Sequence, residues 1–384
     1  MVVAVDTLFL SNRYRHTGTG VYLSNLLSQC LNISESTNAD IGFRGFSPKG
    51  ERWDGNGFAS PLLSVRESWS AAHRRAWLLG GMALNTTLAR PDVVFLPTAH
   101  ASVPGPLTPV VTTILDGMHR RLPARMLDCG RSVHWLTWAN TKLASRIITI
   151  SLWSKRDLVD IFNLDPNRVE VTYLGYDKKA YNAAPPDPKV SAALLARLGI
   201  QRPFVLHHGM VQLRKNLIRL LQAWERINEG PAATRTQLVL AGPPGLGYEQ
   251  IREAVAASLH HDRIVVTGAL DKAGLATLVK NASLCVVPSL YEGFCLPLVE
   301  AMACGIPTVA SNASCIPEIS GGVLEYFDPP SIEEMSEAMR RALEESDLRE
   351  RLRRDGLARA GAFSWERCAR ETLEVFSKAV ADRG

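Results

Sequence analysis

Glu292 and Glu300 stand eight positions apart in Pro288-Ser-Leu-Tyr-Glu292-Gly-Phe-Cys-Leu-Pro-Leu-Val-Glu300-Ala-Met-Ala-Cys-Gly305-Ile-Pro307. Val286 and Val287 close an apolar run before them, Gly293 suits a tight turn, and Leu296 to Ala303 has helical character until Gly305 and Pro307 stop it. Glu292 then stands at the mouth of the turn and Glu300 about one turn inside the helix. The N–H groups at the helix start, near Phe294, Cys295 and Leu296, form a ready site for an anion such as a diphosphate. A carboxylate beyond that anion accepts hydrogen bonds from hydroxyl groups. A second constellation is Gly209-Met-Val-Gln-Leu-Arg214-Lys215-Asn216, ahead of a helix with apolar Leu217, Leu220, Leu221 and Trp224. Two cations beside the positive end of a helix dipole are unfavourable alone and favourable with an anion between them.

Strand ends must position these groups. At 384 residues, 46% apolar and 21% charged, the chain suits two globular domains. Short β-branched runs alternate with helical stretches, the pattern of parallel sheets covered by helices. The first half predicts strands at Val2–Val5, Ile41–Phe46, Val93–Leu96, Val110–Leu115, Ile147–Ile150 and Val169–Tyr173. The polar, proline-rich stretch Asp177-Lys-Lys-Ala-Tyr-Asn-Ala-Ala-Pro-Pro-Asp-Pro reads as a linker. Beyond it the pattern restarts with Phe204–His208, Leu238–Ala241, Ile264–Thr267, Leu284–Pro288 and Thr308–Ala310. The expected fold is α/β with two Rossmann-like domains, residues 1–182 and 183–365, and a last helix at about 366–384 returning to the first. Ligands of such sheets bind beyond the carboxyl ends of the strands.

The pattern P-S-x-x-E-G-F-x-L-P-x-x-E-A-M-A-x-G-x-P resembles the signature of retaining glycosyltransferases of family 4, which have the GT-B fold, two Rossmann-like domains facing each other across a cleft. The resemblance covers most of residues 145–380. It takes in Arg214-Lys215-Asn216, Glu318, the Gly321-Gly322 turn before Tyr326-Phe-Asp-Pro, and Phe363-Ser-Trp365-Glu366. Ile148-Thr-Ile-Ser151-Leu-Trp-Ser154-Lys-Arg-Asp157 is similar to the family's I-x-V-S-x-x-S-x-x-D segment, with Ser154 expected to cap the helix. The resemblance implies a nucleotide-sugar donor in residues 183–365 and an acceptor in residues 1–182. Glu300 would bind the ribose, Glu292 the donor sugar, Arg214 and Lys215 the phosphates. The backbone after Gly209, Gly268 and Gly293 would line the nucleotide, with Cys295 a pocket wall.

The first half matches less closely. His16-Thr-Gly18-Thr-Gly20-Val-Tyr22 resembles the family's G-x-G-x-Y loop facing the donor phosphates and the acceptor; Leu23 rules it out as a dinucleotide fingerprint. Where many relatives read T-I-H-D-L, this chain has Thr113-Ile-Leu115-Asp116-Gly117. Asp116 is kept, and His119 and His100 are the candidates to replace the missing histidine. Met210 stands where many relatives place an arginine.

Seven cysteines without a C-x-x-C pair argue against a zinc site or a disulfide framework. No D-x-D occurs, so no metal clamp is expected and no cofactor is required. The N-terminus enters a strand pattern directly, without a signal peptide, and no apolar run is long enough for a membrane span, which places the expected protein in the cytoplasm. Residues 1–190 hold 21 Lys and Arg against 15 Asp and Glu, the rest 22 against 23. Basic, apolar clusters at Trp69, His73, Arg74, Arg75, Trp77, Leu78 and Leu79 and at His119, Arg120, Arg121, Leu122, Arg125 and Met126 suit either an anionic membrane surface or a helix pair packing inward. The expectation is a metal-independent hexosyltransferase, similar to bacterial mannosyltransferases of O-antigen and exopolysaccharide assembly. It would move mannose from GDP-mannose to a lipid-linked or surface-glycan acceptor at the inner face of the membrane, with no nucleic-acid partner. UDP-glucose, UDP-galactose and UDP-N-acetylglucosamine stay open as donors, and so does a degenerate protein that binds a nucleotide sugar without turnover.

Overall fold

The computed structural model describes residues 1–11, 17–37, 41–48, 63–68, 77, 81–98, 105, 107–127, 131–229 and 234–383. The chain forms two compact units. Met1–Arg120, Cys129–Gly175 and Ser364–Gly384 make the first, Arg121–Asp128 and Tyr176–Phe363 the second.

The first unit is built on seven parallel strands: β1 (Val2–Asp6), β2 (Gly42–Pro48), β3 (Leu63–Ser68), β4 (Val93–Leu96), β5 (Val110–Thr113), β6 (Arg146–Thr149) and β7 (Val169–Val171). Their order is β3-β2-β1-β4-β5-β6-β7. Strands β4 and β5 are buried along their whole length, which only continuous runs such as Val93-Val-Phe-Leu tolerate. The last helix, Trp365–Ala381, lies against β4, β5, β6 and the helix Gly18–Ser36. The Phe376 ring packs tilted, at 58°, against Phe95, with 5.1 Å between ring centroids. Trp77 is a core residue that donates to Asp6 Oδ2 at 3.2 Å. The rest of the Trp69–Leu79 cluster lies outside the described residues.

The second unit has six parallel strands: β8 (Phe204–His208), β9 (Gln237–Ala241), β10 (Ile264–Gly268), β11 (Leu284–Val287), β12 (Thr308–Ser311) and β13 (Glu325–Phe327). They run in the order β10-β9-β8-β11-β12-β13. The helix Leu217–Ile227 buries Leu217, Leu220, Leu221, Trp224 and Ile227 on one side and packs on the helix Ile332–Glu344. Both units are thus doubly wound Rossmann-like folds, and in each the strand order reverses beside the first strand, between β1 and β4 and between β8 and β11.

Several expectations need correction. The sequence reading lacks β3 and β13, which are edge strands; β3 alternates apolar and polar residues instead of forming an apolar run, and β13 has three residues. The cap of the helix Leu152–Phe162 is Ser151, whose Oγ accepts from Ser154 N at 3.0 Å. Ser154 sits inside the first turn. Gly18 and Gly20 are likewise in the first turn of the helix Gly18–Ser36 rather than in a loop, because Thr17 caps it by accepting from Gly20 N at 3.2 Å.

The ends of β8, β9 and β10 are tied by backbone: Gly209 N donates to Ala241 O at 2.9 Å and Gly242 N to Gly268 O at 3.0 Å. A Cβ on Gly242 would stand 1.9 Å from Gly209 O. Gly242→Ala should therefore destabilise the protein by roughly 1–3 kcal/mol, the scale of local backbone strain. A urea-unfolding midpoint equal to that of the wild type would show that this backbone contact is not required.

Candidate functional site

The strand order reverses between β8 and β11, the place where ligands of such sheets bind, and both sequence constellations leave from the carboxyl ends of these strands. Strand β8 passes through Gly209, at φ 121°, to a short 3-10 turn, Leu213–Lys215. Asn216, at φ 59°, then starts the helix Leu217–Ile227. Its Nδ2 donates to Pro329 O at 2.7 Å, which fixes the corner. Strand β11 passes through Pro288–Cys295 to the helix Leu296–Ala303. Leu290 N donates to Arg214 O at 2.9 Å and so ties the two loops together.

Across that tie lies an ionic cluster. Glu292 is buried and receives Arg214 Nη1 at 2.9 Å on one oxygen and Lys215 Nζ at 2.5 Å on the other. Arg214 Nη1 also donates to Tyr291 O at 3.1 Å, while Gln212, its amide turned to match its neighbours, accepts from Arg214 Nε at 2.9 Å. Glu292 N donates to Ser314 Oγ at 2.9 Å. Burial raises the carboxyl pKa, but Arg214 and Lys215 outweigh it and hold Glu292 down to about 2. Two cations and one carboxylate thus share a protected place beside the strand reversal. Gly209 lies beside the cluster: a Cβ there would stand 4.0 Å from Lys215 Nζ and 3.5 Å from Pro297 Cγ.

Glu300 is held separately. Its Oε2 meets Nε2 of His208, the last residue of β8, at 3.2 Å, and its side chain keeps 18% exposure. His207 Nδ1 donates to Val286 O at 3.2 Å. Burial, then the nearby Lys215, keep His207 neutral, its pKa lowered to about 3. Neither histidine was singled out by the sequence reading; the signal available was the His207-His208 pair directly before Gly209.

In the loop after β11 the left-handed residue is Cys295, at φ 70°, and not Gly293. Burial and Glu292 push the Cys295 thiol up to about 12, so it stays protonated at neutral pH. The Phe294 ring packs edge-on against Phe363 at 5.4 Å, which leaves the backbone of Phe294 as its contribution to a site. Leu296 opens the helix and Pro297, in its first turn, has no N–H to give. Gly268, at φ 67°, closes β10. The structure therefore brings together Gly209, Arg214, Lys215, Glu292, Cys295, Leu296 and Glu300 around one strand reversal.

Gly18, Gly20 and Asp116 belong to the first unit. Asp116 Oδ1 accepts from Met118 N at 3.0 Å and so starts the short helix Met118–Arg121. His119 lies on that helix, its ring 6.1 Å from Phe162. Tyr22 is buried, with its hydroxyl 3.0 Å from Thr113 Oγ1. His16 and His100 lie outside the described residues.

Residues 196–359 match the family model described as "Glycosyl transferases group 1". The chain is 31% identical over 237 residues to O-antigen chain mannosyltransferase B of Escherichia coli, covering 61% of this chain and 60% of that protein. It is 30% identical over 239 residues to the MMP alpha-(1->4)-mannosyltransferase of Mycolicibacterium hassiacum, covering 61% and 54%. The chain thus spans less than two thirds of these relatives' own length. The fold matches the crystal structure of HepE from Anabaena in complex with UDP, with a TM-score of 0.74, 17% identity, and 98% and 99% of the two chains covered.

The grip on Glu292 makes stability depend on acidity. With a folded pKa of about 2 against an ordinary 4.5, its contribution is fully present above pH 4.5 and is lost as the pH falls towards 2. Glu292→Gln should be less stable than the wild type at pH 7 by roughly 3–5 kcal/mol, because two cations lose their buried counter-charge. The gap should narrow as the pH falls from 4.5 to 2. Urea unfolding of both proteins across this range measures it, and a gap that does not change with pH contradicts the assignment.

Proposed function

We propose that this chain, built on a glycosyl transferases group 1 domain, is a retaining hexosyltransferase that takes its sugar from a nucleoside diphosphate. The observation that carries the reading is the buried Arg214–Glu292–Lys215 cluster at the strand reversal. The bond from the sugar's anomeric carbon to the diphosphate breaks, an acceptor hydroxyl forms a bond to the same carbon from the same face, and its proton passes to the departing phosphate oxygen. Charge then grows on the leaving diphosphate, and Arg214, Lys215 and the backbone from Gly293 to Leu296 stabilise it. Gly209 leaves space for the phosphates, the backbone of Gly268 lies along the nucleoside, and Glu300 takes the ribose. Gly18, Gly20 and Asp116 lie in the first unit, the acceptor's in this reading.

Glu292 is a poor candidate for the acid or nucleophile of a retaining glycosidase, whose two carboxylates stand about 5 Å apart. A carboxylate with a pKa of about 2 holds no proton to give at neutral pH. Its role is to balance the two cations in the free protein and to accept hydrogen bonds from the donor sugar once phosphate oxygens share those cations. The chemistry assigned to Arg214 and Lys215 is that of a metal clamp, so the reaction proceeds without a metal.

GDP-mannose is the donor we favour, because both relatives named above are mannosyltransferases. The UDP bound by the Anabaena neighbour keeps UDP-sugars as the alternative. The acceptor we favour is a lipid-linked or surface glycan at the inner face of the membrane. Supporting this, residues 117–156 hold eight Lys and Arg and one acidic residue. On the helix Arg131–Leu143, Trp135 and Trp138 are 53% and 52% exposed, beside Lys142 one turn on. Indole rings with cations around them suit the interface of an anionic bilayer. Among the described residues no helix is long and apolar enough to cross a membrane.

Three measurements check this. GDP, UDP and ADP should raise the melting temperature unequally, by an amount set by RT ln(1 + [L]/Kd), with GDP raising it most; no rise with any of them would sink the reading. Lys215→Ala should lose about 10²–10³-fold in kcat, as for other transition-state donors, while transfer by the wild type should survive excess EDTA. Loss of transfer in EDTA that Mn²⁺ restores would refute the metal-free clamp. Finally, the protein should sediment with vesicles containing phosphatidylglycerol and not with phosphatidylcholine alone, and Trp135→Ser with Trp138→Ser should weaken this; equal sedimentation with both vesicles removes the membrane from the account.

A further inference from the structure

We infer that His208 is a positioning residue that aims Glu300 at the ribose of the nucleotide; the inference rests on the reading of Glu300 given above. His208 ends β8, where its backbone is paired in register with Ala241 of β9. Its side chain is buried, and its Nε2 lies 3.2 Å from Glu300 Oε2. No other hydrogen bond to the Glu300 carboxylate is found among the described residues. The neighbouring imidazole of His207 points to the opposite face of the strand, as the period of two requires, and is occupied with Val286 O.

This arrangement differs from that of Glu292, whose two oxygens are both taken by cations. Glu300 has one oxygen held by an imidazole N–H and the other, Oε1, free to accept a hydroxyl. A glutamate side chain with three free torsions would have to be ordered by the ligand itself, at a cost in affinity. His208 orders it beforehand, and the strand orders His208. The expected consequence is selective: contacts to the ribose hydroxyls weaken when His208 is changed, while contacts to base and diphosphate persist.

The test is calorimetric titration of the full chain with whichever of GDP and UDP binds the wild type more tightly, and with the 2′,3′-dideoxy form of the same nucleotide. The wild type should prefer the ribonucleotide by about tenfold or more, the scale of a hydrogen bond to a charged group. His208→Leu should cut that preference to about threefold or less, Glu300→Ala should abolish it, and the double variant should lose no more than Glu300→Ala, as expected for two residues acting through one contact. His208→Gln, whose amide N–H reaches close to the Nε2 position, should restore part of the preference, and His208→Asn, which falls short, should not. The Gln and Asn pair carries the test if the Leu variant does not fold. A wild-type preference in His208→Asn, and in His208→Leu where that variant folds, with the preference lost in Glu300→Ala, overturns the role of His208 alone. A preference that survives Glu300→Ala, or no binding of either nucleotide to the wild type, overturns the ribose reading and this inference with it.

Discussion

A buried carboxylate gripped by two cations is the constraint on which the rest of the second unit depends. Lys215 and Glu292 are 77 residues apart in the chain, and each would be costly to bury alone. The doubly wound strand order brings them together, because one follows β8 and the other β11, the two strands that part at the reversal. Once paired, they fix both loops at the strand reversal, where the proposed diphosphate would share the two cations with Glu292. The cluster is therefore a structural tie and a source of positive potential at once.

The surrounding backbone takes conformations that few residues adopt. Gly242 lets its loop pass closer to the Gly209 carbonyl than a side chain permits, and Cys295 and Asn216 adopt left-handed conformations directly before their helices. Such positions are uncommon for residues other than glycine and persist where surrounding contacts hold them. Here the contacts are visible: Asn216 is tied to Pro329, and Phe294 beside Cys295 is packed against Phe363. The second carboxylate, Glu300, belongs to a different local system, anchored to the end of β8.

Much of this was legible in the sequence, for physical reasons. Strands buried on both faces need continuous β-branched runs, so β4, β8 and β11 stand out, whereas the edge strands β3 and β13 carry mixed or very short runs and do not. Arg214, Lys215, Glu292 and Glu300 were legible as residues with the right chemistry in a specific pattern. Their mutual pairing was not, since a cation and a carboxylate far apart in the chain carry no mark of their contact. His208 was missed for the same reason: its partner lies 92 residues away. The capping serine was misplaced because Ser151 and Ser154 both have the right side chain, and only the extended backbone of Ser151, at φ −157°, distinguishes the cap.

The central claim is that Glu292 balances Arg214 and Lys215 until a diphosphate takes them over. Its most direct test is the affinity of Glu292→Gln for the nucleoside diphosphate, measured by calorimetry beside the wild type at neutral pH. With the competing carboxylate neutralised, the account predicts a Kd equal to or below that of the wild type. A Kd about tenfold or more above it, equivalent to roughly 1.4 kcal/mol of lost binding, would mean that Glu292 itself holds the nucleotide and would contradict the account.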